Sequence, residues 1–133
     1  MKGVTRMMLE LYRLKELGYD FMGYEEQSNG IISYHHLIIP KRHGGKATIQ
    51  NGALIYRVPH DYLHTIERYD PDMFYAVTSE MIDMNVKGYL DMENILYIDD
   101  VLCCFEREYS GKTTRKGHEI IKPEYTRRLV RKR

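Results

Sequence analysis

The sequence predicts an α+β fold: a single, mostly helical domain organised around one small pair of strands. Three observations carry this. Apolar residues recur at helical spacing over residues 4–17 and again from 71 to 109. Two short β-branched runs, 31–39 and 53–58, flank a loop that holds Gly44-Gly45 and Asn51-Gly52. Five of the six histidines fall between Tyr34 and Glu67, and four of them stand in two close pairs: His35 with His36, and His60 with His64. A chain of 133 residues suits one domain with a modest core, and 43% hydrophobic content argues against a disordered chain.

Taken in order, residues 4–17 read as an amphipathic helix with Val4, Met7, Met8, Leu11 and Leu14 on the buried face and Gly18 as its stop. Residues 19–24 are short and aromatic and read as an edge strand; 27–30 form a polar turn. Residues 31–39 read as a strand interrupted only by the histidine pair, 41–46 as a loop, and 53–58 as a second strand. Pro59 suits the first turn of a helix that continues over 60–69. Pro71 opens another helix that runs to Lys87 and stops at Gly88. Asp91 caps a last long helix to Tyr109, with Ile95, Ile98, Leu102 and Phe105 inward. Residues 110–117 read as a loop, and Pro123 opens a short helix that runs into a basic end.

Charge is divided unevenly. Residues 112–133 carry nine Lys/Arg against two Asp/Glu, whereas residues 1–111 carry eleven against seventeen. A basic tail on an acidic body suits a polyanion that touches part of the surface. The adjacent Cys103 and Cys104 point in different directions on a helix and read as reduced thiols of a cytoplasmic protein. No long apolar run or signal peptide appears, so no membrane partner is expected.

The histidines carry the chemistry. His60 and His64 are four apart on a helix and share a face, a spacing that lets two imidazoles hold one metal. His35 and His36 alternate on a strand, so one can face the helix pair and the other the substrate. Three imidazoles leave positions open on the metal, as in catalytic rather than structural sites. The remaining imidazole is then free to act as a base. Asn51-Gly52 has two readings: a functional Asn, or a type I′ turn joining residues 48–49 to 53–54. His43 and His118 read as solvated.

The pattern of a histidine pair, an Asn fifteen residues beyond it and a His-x-x-x-His resembles the HNH, or His-Me finger, endonucleases. Their catalytic unit is a ββα-metal motif, here about residues 31–69. The segments GYDFMGY, HHLIIPKRHGGKATIQNGALI, HDYLHTIE, TSEMIDMNVKGYLD and FEREYSGKTT are similar to small HNH proteins of Gram-positive bacteria and their phages. The resemblance implies a ββα-metal core followed by a helical part at about 71–110 and a basic tail at about 112–133. It implies His35, His60 and His64 as ligands of one divalent metal (Zn, Ni, Mn or Mg), His36 as the general base and Asn51 as the family's central Asn. The three-histidine version most resembles the colicin DNase branch. This chain departs from the pattern in having three residues between His36 and Pro40, and Val58-Pro59 where a capping Ser is usual.

The implied reaction is hydrolysis of phosphodiester bonds in nucleic acid, DNA being the expected substrate, in a bacterial or phage-infected cytoplasm. His36 would deprotonate the attacking water. Lys41, Arg42, Lys46 and Arg57 would contact phosphate, as would Arg127, Arg128, Arg131, Lys132 and Arg133 in the tail. Glu67, three residues beyond His64, would orient a ligand. Two other readings stand beside this one. The first is a non-catalytic binding protein, such as a phage-encoded inhibitor of a host nuclease or a DNA-binding regulator. The second is a structural zinc site, though such sites normally close with four ligands.

Overall fold

The computed structural model describes residues 3–26, 30–38 and 41–109. The tail arginines and lysine, His118, the helix expected from Pro123 and most of the turn expected at 27–30 lie outside these residues. The order is α1 (Gly3–Leu11), α2 (Leu14–Leu17), β1 (Ile32–His36), a 3₁₀ turn (Lys41–His43), β2 (Gly52–Tyr56), α3 (Arg57–Tyr69), α4 (Pro71–Lys87) and α5 (Met92–Glu108). The chain is α+β and mostly helical, with a small two-stranded antiparallel sheet.

The first helix is not continuous. Arg13 adopts φ 55, a left-handed conformation that a non-glycine residue rarely takes, and splits the segment into α1 and α2. The buried face is also rotated from the expected one. Met8, Tyr12 and Leu14 are buried, but Met7 is 57% and Leu11 50% exposed. Tyr12 supplies the reason: its ring packs edge-on against Phe21 and its hydroxyl donates to the Asn85 carbonyl at 3.3 Å, which aligns the helix on Tyr12 rather than on Leu11.

Residues 19–24 lie along the outer edge of β2 without forming a strand. Phe21 N–H donates to Leu54 O at 3.2 Å, and one isolated bridge pairs Tyr19 with Glu25. The turn is organised by Asp20, which is fully buried. Its carboxyl accepts from Met22 N–H (2.8 Å), Tyr24 N–H (3.0 Å) and Tyr56 N–H (2.9 Å), the last tying the turn to the end of β2. Burial pushes this carboxyl up to about 7, against the backbone donors that hold it down.

The strands pair from Ile32↔Tyr56 to His36↔Gly52. The ladder is prolonged at both ends, by Arg57 N–H to Ile31 O (2.9 Å) and Leu37 N–H to Asn51 O (2.8 Å). The first of these bonds explains why α3 starts at Arg57, two residues before Pro59: the first helical N–H, which helix geometry leaves unpaired, is used by the strand. Pro59 sits in the first turn, where its missing N–H costs nothing. Residues 48–49 belong to no strand, so Asn51-Gly52 does not form the tight hairpin turn.

Behind the sheet, α3, α4 and α5 pack in succession through Leu63, Ile66, Val77, Met81, Met84, Ile95, Ile98, Leu102 and Phe105, all fully buried. Their ends follow the sequence signals. Asp70 accepts from Met73 N–H at the start of α4, Gly88 at φ 84 ends it, and Asp91 caps α5 through Glu93 N–H. Cys103 and Cys104 are free thiols. Among the described residues, no helix is long and apolar enough to cross a membrane.

Candidate metal centre

β1 alternates its side chains, so Ser33 and His35 share one face while Tyr34 and His36 share the other. The Ser33/His35 face meets the first two turns of α3, which present His60 and His64 one above the other. The rings of His60 and His64 stack at 4.9 Å, and His35 stands edge-on to both, at 5.1 and 5.7 Å between centroids. Ligand atoms of His35, His60 and His64 all lie within 4.8 Å of one another, so the group could hold a metal ion.

The donor set fits a divalent cation. His35 Nδ1 and His60 Nε2 are 3.2 Å apart. Two nitrogens at the usual zinc distance in a tetrahedron are separated by about 3.3 Å. Burial, reinforced by the neighbouring His60, His64 and His36, pulls the His35 imidazole down to about 3. Burial and then His64 pull His60 down to about 4, with Asp61 acting in the opposite sense. Both rings are therefore neutral near pH 7, the form that binds metal. His35 Nε2 is buried and, among the described residues, has no hydrogen-bond partner.

Each ring has a support. His60 Nδ1 meets Ser33 Oγ at 2.7 Å, and His64 Nδ1 meets Glu67 Oε1 at 3.4 Å, the place expected of Glu67. Phe74 of α4 stands edge-on to His35 at 6.3 Å and closes the apolar side. Ser33 was not marked by sequence pattern alone. The signal available was its position two residues before His35 on a strand, which puts it on the same face.

His36 points to the other side of β1 and lines the same open cleft of about 970 Å³ as the three clustered histidines. Its ring stands edge-on to Tyr34 at 4.9 Å. Tyr34 is held in turn: its hydroxyl donates to Thr48 O at 2.6 Å and accepts from Thr48 N–H at 2.9 Å. Gly52, opposite His36 in the ladder, leaves the space the Tyr34 ring fills; an added Cβ would lie 2.5 Å from Tyr34 Cζ.

Asn51 is a loop pin. Its Oδ1 accepts from Ile38 N–H at 2.8 Å and its Nδ2 donates to Lys46 O at 3.2 Å, so one side chain ties the end of β1 to the far side of the loop. Asn85 of α4 adds a second tie, donating to Ile49 O and Gly52 O at 2.7 Å each. Lys41, Arg42 and Arg57 line the cleft and are exposed. Lys46 is exposed but does not line it, and His43 is exposed in the 3₁₀ turn.

Comparison of the chain with family models, with curated proteins and with solved structures found no match.

Proposed function

We propose that the protein is a metal-dependent endonuclease of the HNH type, with β1, β2 and α3 as its ββα-metal core, hydrolysing phosphodiester bonds in nucleic acid. The observation that carries this reading is the division of one cleft. Three histidines cluster on one face of β1, while a fourth, His36, reaches the cleft from the other face without joining the cluster. A purely structural metal site has no use for the fourth imidazole, nor for three ligands with positions left open.

His35, His60 and His64 would hold the ion. When bound, a divalent metal supplies Lewis-acid stabilisation of the charge on phosphorus and on the departing 3′ oxygen. His36 accepts the proton of the attacking water at a ring nitrogen, and the Tyr34 ring beside it keeps the imidazole aimed into the cleft. Lys41, Arg42 and Arg57 hold the phosphate backbone across the cleft by charge. Asn51 acts at one remove by fixing the loop that carries Lys41 and Arg42 to the end of the strand that carries His36. Plasmid DNA and a structured RNA, each incubated with the protein and Zn, Ni, Mn or Mg in turn, test the reading. Cleavage with at least one metal, abolished by chelator and restored by the ion, is expected.

A further inference from the structure

We propose that Ser33 commits His60 to a single tautomer and thereby presents the His60 Nε2 lone pair to the metal shared with His35 and His64. The proposal rests on that metal centre and not on the phosphodiester chemistry.

The protons available to Ser33 and His60 fix the tautomer. Ser33 Oγ lies 2.7 Å from Ile55 O and 2.7 Å from His60 Nδ1. A carbonyl oxygen can only accept, and a hydroxyl has one proton to give. Ser33 therefore donates to Ile55 O, and the contact with His60 is made through a hydroxyl lone pair. His60 Nδ1 must supply the proton for it. A neutral imidazole carries one N–H, so His60 Nε2 is left as a lone pair. That atom is the one facing His35 Nδ1 at 3.2 Å. In the opposite tautomer, Ser33 and His60 would oppose two lone pairs at 2.7 Å, and an N–H would point at the metal position. The backbone carbonyl of β2 thus sets, through one hydroxyl, which nitrogen of α3 is available. A partner on the second ring nitrogen is a general device for orienting metal-binding histidines, and loss of one typically lowers affinity 10- to 100-fold.

Ser33 lines the cleft and acts on the metal position through the His60 ring, so it is a positioning residue. The test uses the full chain with zinc ion as the probe. Long-range proton–nitrogen spectra of the histidine rings read the tautomer in the metal-free protein, and calorimetry reads zinc affinity in wild type, Ser33→Ala and Ser33→Thr. The expected result is Nδ1–H at His60 in wild type and a mixed signal in Ser33→Ala. Zinc affinity should fall about 10- to 100-fold in Ser33→Ala and be retained within a few-fold in Ser33→Thr, which keeps the hydroxyl. An Nε2–H signal at His60 in wild type overturns the proposal, and that spectrum decides even if Ser33→Ala does not fold. Wild-type zinc affinity in a folded Ser33→Ala, or equal losses in both variants, also overturns it. A wild type that binds zinc with the stated tautomer but cleaves nothing overturns the nuclease reading and leaves Ser33 in its role.

Discussion

Gly52→Ala should be strongly destabilising, because among the described glycines an added Cβ meets its nearest neighbour most closely here. A Cβ at this position lies 2.5 Å from Tyr34 Cζ and 2.7 Å from its hydroxyl oxygen, where ordinary contact requires more than 3.4 Å. The ring must therefore shift by roughly 1 Å, the magnitude at which overpacked cores lose about 1–3 kcal/mol. It cannot shift freely, because its hydroxyl is fixed to both the carbonyl and the N–H of Thr48. Breaking those two bonds adds about 1 kcal/mol each. A total of about 3–5 kcal/mol follows, a large part of the stability of a domain this size. Urea denaturation measures it directly. Tyr34→Ala in the same background should recover much of the loss by making room for the methyl, giving a coupling of at least about 1 kcal/mol in the double-mutant cycle. A Gly52→Ala protein within 1 kcal/mol of wild type, or additive effects of the two substitutions, would refute the claim that Gly52 exists to seat the ring that aims His36.

Acid should weaken the metal-free fold through His35. Its imidazole is held down to about 3 by burial, whereas in the unfolded chain it protonates near 6.5. As pH falls below 6.5 the unfolded chain takes up a proton that the native state refuses, so stability is lost in that direction, by about 1.4 kcal/mol per pH unit. His35→Leu removes this titration, and the wild-type and His35→Leu stability curves should diverge at that slope between about pH 6 and 4; parallel curves would contradict it. His60→Ala removes one of the three histidines that could hold the metal and should lower zinc affinity by at least tenfold in calorimetry, with Glu67→Gln costing less because it acts through His64. Removing residues 127–133, with five positive charges, should flatten the slope of log K against log salt for DNA by roughly four units if all five reach phosphate. An unchanged slope would assign the tail no part in binding.

What the sequence made legible was whatever depends on near neighbours. Asp91, Pro71 and Gly88 mark the ends of α4 and α5 because caps and breakers act within one turn. A three-histidine cluster was legible because period-3.6 spacing put His60 and His64 on one helix face and period-two spacing turned one of His35 and His36 toward them; the resemblance to HNH proteins chose His35, which the cluster contains. Long-range partners were not. Met7 and Leu11 are as apolar as Met8, and only the pull of Phe21 and Asn85 on Tyr12 decides which stripe of α1 turns inward. The break at Arg13 has no local sign, since neither Gly nor Asn stands there. Residues 19–24 have strand composition, yet Asp20 takes three backbone N–H groups on its own side chain and bends the segment into a turn. Ser33 is one of four serines, and sequence pattern alone does not set it apart from the others. It acquires meaning from a histidine 27 residues away that the fold sets at 2.7 Å.

The most direct measurement is the rate of DNA cleavage by His36→Ala at saturating metal, with metal content determined in the same samples. The account predicts a fully metallated protein that still binds DNA and cleaves it about 100- to 10,000-fold more slowly than wild type, the usual contribution of a positioned general base. His35→Ala, in contrast, should lose metal and activity together. A fully metallated His36→Ala that cleaves at the wild-type rate would contradict the account.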